Sequence, residues 1–102
     1  TESVFRWPLV LTLGIRRQGA DLQKISRHIY FQLTLAVTGD ITYDLRGVVI
    51  NHGSSIRAGH YTAYVCSQDG HWFHCNDAMQ PQRLTVAQVI SVQAYLLVYE
   101  KR

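Results

Sequence analysis

Apolar residues recur mainly at every second position, the period of a strand with one covered face. In residues 8–15 (PLVLTLGI), Leu9, Leu11 and Leu13 alternate with Val10 and Thr12, which predicts a strand. Residues 28–37 (HIYFQLTLAV) set Ile29, Phe31, Leu33 and Leu35 on one side and Tyr30, Gln32 and Thr34 on the other, and Thr38-Gly39-Asp40 then signals a turn. Residues 43–51 (YDLRGVVIN) rise into a nearly continuous apolar run, the pattern of a strand covered on both faces. Residues 52–59 (HGSSIRAG) carry two Gly and two Ser and read as an adaptable loop. Two β-rich runs, 60–66 (HYTAYVC) and 71–75 (HWFHC), flank Ser67-Gln68-Asp69-Gly70, whose Asp-Gly step predicts a hairpin. Thr85-Val86-Ala87-Gln88 fits a T-x-x-Q capping box before Val89, Ile90 and Val92, so one short helix is expected there. Residues 94–99 (AYLLVY) close as a buried strand. About six strands and one short helix make an α+β, mostly antiparallel β fold.

Composition narrows the function classes. Charged residues make up 17% and the hydrophobic group 47%, which excludes a disordered tail. A chain of 102 residues supports a modest core, burying roughly two thirds of its unfolded surface. The net charge of +3 comes from scattered Arg and Lys with no run longer than Arg16-Arg17, so no nucleic-acid partner is expected. No stretch approaches the roughly 20 apolar residues of a membrane span, and Thr1-Glu2-Ser3 opens no signal peptide. Cys66 and Cys75 are too few for a disulfide scaffold and form no CxxC pair, so no metal site or cofactor is expected. They form either one disulfide or two free thiols, and reduced thiols in a cytoplasmic or nuclear protein are the expected state.

Among the five histidines, His60 stands where a Gly-rich loop meets a strand. That is a suitable place for a base, because the strand fixes the ring while the loop leaves it open to substrate. Across the hairpin, Asn76 or Asp77 can accept a hydrogen bond from the Nδ1–H of the ring, leaving Nε2 free to take a proton. Register decides between them. If paired residue numbers sum to 138, His60 faces position 78 and lies diagonal to Asn76; a sum of 139 puts it on the side of Asp77. His28, His71 and His74 carry no companion signal and read as structural or surface residues. His71-Trp72-Phe73-His74-Cys75 offers metal-ligand types that an alternating strand splits between faces.

Four ordered blocks carry a resemblance to a known family. Tyr43, Leu45, Val48, Val49 and Gly53 match Y-x-L-x-x-V-V-x-H-x-G, with His52 one residue beyond the place of the motif's histidine. Gly59, His60, Tyr61 and Tyr64 match G-H-Y-x-x-Y. Trp72, Asn76 and Asp77 match W-x-x-x-[ND]-D, and Ala94, Tyr95, Leu96, Leu97 and Tyr99 match A-Y-[IL]-L-x-Y. In this order and spacing they resemble the C-terminal part of the catalytic domain of ubiquitin-specific proteases, papain-like cysteine enzymes that remove ubiquitin. Upstream, residues 8–13 with Arg16-Arg17 are similar to the family's P-x-V-L-x-L-x-L-K-R-F strand, although no Phe follows the basic pair. The resemblance implies a palm-like sheet within a papain-like fold. It implies His60 as general base, Asn76 as its orienting residue, and Asp77 as an acidic neighbour that shares or supports that role. His52 and Gly59 would then flank the channel for the ubiquitin tail, with Tyr61 and Tyr64 helping to wall it. The HCND wording of residues 74–77 looks closest to members acting on ubiquitinated histones.

The family's nucleophile lies in a G-x-x-N-x-G-N-x-C-x-x-N box at the start of a helix, and nothing in this sequence matches it. Residues 1–102 are therefore expected to be the His/Asn portion of a larger catalytic domain and to be inactive alone. Expected partners are ubiquitin, ubiquitinated proteins and the remaining half of that domain. The alternatives are a non-catalytic ubiquitin-binding or scaffolding module of the same descent, or an unrelated β-rich interaction domain.

Overall fold

The strongest apolar run becomes the strand with the most neighbours. In the computed structural model, which describes residues 6–15, 30–52, 61–76 and 80–102, β3 (Thr42–Asn51) pairs along one side with β7 (Leu96–Lys101). Its other side is shared between two strands: β2 (Thr34–Ala36) takes residues 42–44, and β4 (Tyr61–Cys66) takes 47–51. β1 (Val10–Gly14) lies outside β7, and β5 (Trp72–Cys75) then β6 (Gln82–Leu84) extend the sheet beyond β4. The path is β1-β7-β3-β4-β5-β6 with β2 beside β3, a seven-stranded sheet in which every pair is antiparallel.

One face of this sheet is the core. Tyr43, Leu45, Val48 and Ile50 of β3, Trp72 of β5, and Leu97 and Tyr99 of β7 bury there with Val89 and Ala94. The two central tyrosines are wholly buried, so their hydroxyls need partners. Tyr99 donates to the carbonyl of Gln32 at 2.6 Å, and Tyr43 donates to the carbonyl of Pro8 at 2.5 Å. These two bonds fasten the segments preceding β2 and β1 to the sheet. A bulge at Arg46, between Leu45 and Gly47, shifts the alternation so that Tyr43, Leu45, Val48 and Ile50 all reach the same face. Tyr61 and Val65 stay half exposed on the other face.

The helix α1 (Val86–Ile90) forms where its capping box stands. The Thr85 hydroxyl accepts from the Gln88 N–H at 3.2 Å, and the Gln88 side chain accepts from the Thr85 N–H at 2.8 Å. Five residues would not hold a helix alone; burial of Val89 ties it to the core. Among the described residues no helix is long and apolar enough to cross a membrane.

Two elements differ from the sequence expectation. Within 28–37 only Thr34–Ala36 forms a ladder, although burial still alternates from residue 30 to 37; residues 28 and 29 lie outside the described residues. β6 carries a single apolar residue, Leu84, so it has no periodic signal and exists because β5 offers it an edge.

Candidate active site on the β4–β5 hairpin

The hairpin is set by its turn. The Gly70 N–H donates to the Ser67 carbonyl at 3.0 Å, and the Ser67 N–H donates to the His71 carbonyl at 2.8 Å. Gly70 sits at φ +88°, where a Cβ would be strained, so the Asp-Gly step works through its glycine. The Ser67 hydroxyl, bonded to the Asp69 carboxylate, is the main reason that this carboxyl titrates below the usual range. The strands then pair Cys66 with Trp72, Val65 with Phe73, Tyr64 with His74 and Ala63 with Cys75. Every pair sums to 138 and not to 139.

That pairing leads to Thr62. It is a buried polar residue, 5% exposed, on the core-facing side of β4 opposite Ile50. His52, immediately after β3, brings Nε2 to 2.6 Å from the Thr62 hydroxyl. Asn76 follows the last residue of β5. On the same face of the hairpin, the rings of Tyr64 and His74 meet edge to face with centroids 5.1 Å apart. His74 and Asn76 also line a small cavity of about 60 Å³ with Gln80 and Gln82.

Of the residues that the sequence singles out, His60, Gly59 and Asp77 lie outside the described residues. The structure brings His52 to Thr62, Tyr64 to His74, and His74 with Asn76 to one cavity. Tyr61 is on the opposite face of β4, 40% exposed, its ring 5.6 Å from that of Tyr95. Tyr61 and Tyr64 therefore do not share one wall of this hairpin. Thr62 was not singled out from sequence; its signal is a threonine at a core-facing position between two tyrosine-bearing ones.

The cysteines separate as well. Cys66 shares the face of Trp72, whereas Cys75 is out of phase by one residue and points to the other; both are free thiols. This resolves the disulfide alternative by strand parity. Burial pushes the Cys66 thiol above its ordinary value, only partly opposed by Arg46, whose guanidinium Nη1 lies 3.9 Å from Sγ. A thiol with a raised pKa forms little thiolate near neutrality and is a poor nucleophile.

With this geometry in view, the comparison with known proteins is decisive. The profile of the family described as "Ubiquitin carboxyl-terminal hydrolase" matches residues 1–99. The chain belongs to the ubiquitin carboxyl-terminal hydrolase family. It is 36% identical to ubiquitin carboxyl-terminal hydrolase 44-A of Xenopus laevis over 117 aligned residues, which cover 97% of this chain and 17% of that relative. It is 47% identical to ubiquitin carboxyl-terminal hydrolase 3 of Homo sapiens over 58 residues, covering 56% of this chain and 11% of the relative. The chain thus spans about a sixth of the length of the full-coverage relative. Among solved structures it superposes on the SAGA Ubp8/Sgf11/Sus1/Sgf73 DUB module with a TM-score of 0.82 and 32% identity, covering 93% of this chain and 24% of the matched one. It matches the Ubp8(C146A) form of that module bound to monoubiquitin at a TM-score of 0.81 and 34% identity, with the same coverage. The seven-stranded antiparallel sheet is accordingly part of a papain-like cysteine protease fold of the ubiquitin-specific type, as the four motif blocks imply.

Proposed function

We propose that residues 1–102 supply the general base and its orienting residue to a thiol-dependent deubiquitinase whose nucleophilic cysteine lies outside this segment. The observation that carries this reading is the β4–β5 register. Its constant sum of 138 supports the reading of Asn76, rather than Asp77, as the residue that serves His60. Diagonal neighbours stand roughly 7–8 Å apart at Cα, within reach of an imidazole and a carboxamide. The buried hydroxyl of Thr62, 2.6 Å from Nε2 of His52, lies on the core-facing side of the same hairpin.

In this mechanism Nε2 of His60 takes the proton of the thiol, and the thiolate attacks the carbonyl carbon after the terminal glycine of ubiquitin. The imidazolium returns that proton to the leaving lysine amine. A water deprotonated by the same ring hydrolyses the thioester. The Asn76 carboxamide oxygen accepts from Nδ1–H, fixing the tautomer and stabilising the ring while it is charged, with Asp77 as its acidic neighbour. His52, Gly59 and Tyr64 border the tail of ubiquitin, and Tyr61 contributes from the outer side of the same strand. The partners are ubiquitin, ubiquitinated proteins and the remainder of the catalytic domain, in the cytoplasm or nucleus. Support comes from the family membership and from a matched structure that itself holds monoubiquitin.

The test is turnover of a ubiquitin–fluorophore conjugate. The 102-residue chain alone is expected to show none; turnover tracking its concentration contradicts the reading. In the full-length protein, Asn76→Ala is expected to lower kcat by about 10- to 150-fold, the effect of a lost hydrogen bond to a charged ring worth about 1.5–3 kcal/mol. An unchanged kcat removes Asn76 from the role.

A further inference from the structure

We propose that His74 is a positioning residue for Asn76, acting through an ordered water held in the cavity between them; this rests on the reading of Asn76 as the residue that orients the base. His74 is central in the ribbon, paired with Tyr64 on one side and Gln82 on the other. Its ring is held edge to face against Tyr64, centroids 5.1 Å apart and planes at 83°, which fixes where its nitrogens point. Among the described residues, Nε2 is buried and meets no hydrogen-bonding side chain or backbone group. Beside it is a cavity of about 60 Å³, lined among the described residues by His74, Asn76, Gln80 and Gln82. Every one of these four carries an imidazole or a carboxamide, and none is aliphatic.

A single buried water needs only roughly 10–15 Å³ and two to four polar partners. This cavity has room for one water, and the four side chains around it can supply those partners. A water there bonds to Nε2 of His74 and to the Asn76 side chain, and the glutamine amides complete its shell. A bridging water is nearly as good as a direct hydrogen bond. It satisfies the imidazole nitrogen and restrains the carboxamide of Asn76, which follows the last residue of β5. The two ends of the amide differ only by a half-turn, so a bond from the water adds to what fixes oxygen, and not nitrogen, toward the base. A group held from behind keeps its acceptor aimed at the reacting partner.

The test uses steady-state turnover of a ubiquitin–fluorophore conjugate by the full-length protein. His74→Phe keeps the ring packing on Tyr64 and removes the nitrogen. It is expected to lower kcat roughly 3- to 10-fold with KM changed less than about 2-fold, a loss typical of coupling to one neighbour. His74→Gln, whose amide reaches the place of Nε2, is expected to restore kcat to within about 2-fold of the wild type. Because His74 acts only through Asn76, the double variant His74→Phe/Asn76→Ala is expected to be no slower than Asn76→Ala alone. A wild-type kcat in His74→Phe, or losses that multiply in the double variant, overturns the link. A loss that follows a lowered melting temperature and is not rescued by glutamine overturns it too. A slow Asn76→Ala with a normal His74→Phe removes only the water link, whereas a normal Asn76→Ala removes both readings together.

Discussion

Replacing His60 with alanine is expected to stop the hydrolysis of ubiquitin conjugates by the full-length protein, with kcat falling about ten-thousand-fold or more while ubiquitin still binds. The size follows from how many steps pass through one ring. General acid–base help at a single proton transfer contributes roughly 10²–10⁴-fold, and the proposed cycle uses His60 to activate the thiol, to protonate the leaving amine and to activate the water. Losses of this kind in a cooperating set are not additive, so Asn76→Ala on top of His60→Ala should cost nothing further. The binding readout separates chemistry from folding: a His60→Ala protein that still binds ubiquitin with near wild-type affinity has lost the base and kept the sheet. Residual turnover within about 100-fold of the wild type would remove His60 from the mechanism.

The second large effect is on stability. Trp72→Ala is expected to lower the free energy of unfolding by about 3–5 kcal/mol, the range for removing a large aromatic from a packed core. Trp72 is 4% exposed, paired between Cys66 and Leu84, and belongs to the buried cluster of Tyr43, Val48, Val89 and Tyr99. Against a total of about 5–15 kcal/mol for an ordinary domain, such a loss is a large fraction. Trp72→Phe keeps much of the buried area and should lose less than half as much. Urea titration followed by circular dichroism measures both. A midpoint for Trp72→Ala equivalent to less than about 1 kcal/mol of destabilisation would show that β5 is not anchored through this side chain. The consequence reaches the site, because β5 carries Asn76 at its end.

How much of this was legible in the sequence depends on which residues speak locally. The Thr85–Gln88 capping box announced α1, since both of its bonds close within four residues. The nearly continuous apolar run of residues 43–51 announced the central strand, because coverage along a strand's length is written into side-chain polarity. The arginine bulge was not legible: it depends on how β3 meets β7, fifty residues away along the chain. The carbonyl acceptors of Tyr43 and Tyr99 are equally remote, on segments near Pro8 and Gln32. β6 is silent in the sequence because an edge strand needs backbone groups more than apolar side chains.

The site divides in the same way. The sequence left register sums of 138 and 139 open because Asp-Gly allows more than one loop, and only the pairing of Ser67 with His71 around Gly70 decides for 138. The cysteines could be separated only once that register was known. Thr62 and His74 were passed over because a threonine and a histidine in a strand have ordinary structural uses. What marks them is tertiary: a 2.6 Å contact from His52 to one, and a small cavity shared with Asn76, Gln80 and Gln82 beside the other.

The most direct measurement is the pH dependence of alkylation of the catalytic thiol in the full-length protein, with and without His60. An imidazole poised to take the thiol proton lowers the thiol's apparent pKa well beneath the ordinary value of about 8.5. The wild type should therefore react with iodoacetamide at mildly acidic pH, and in His60→Ala the inflection should rise by at least about one unit toward 8.5. Superimposable profiles would mean that the ring carried by this ribbon does not reach the sulfur.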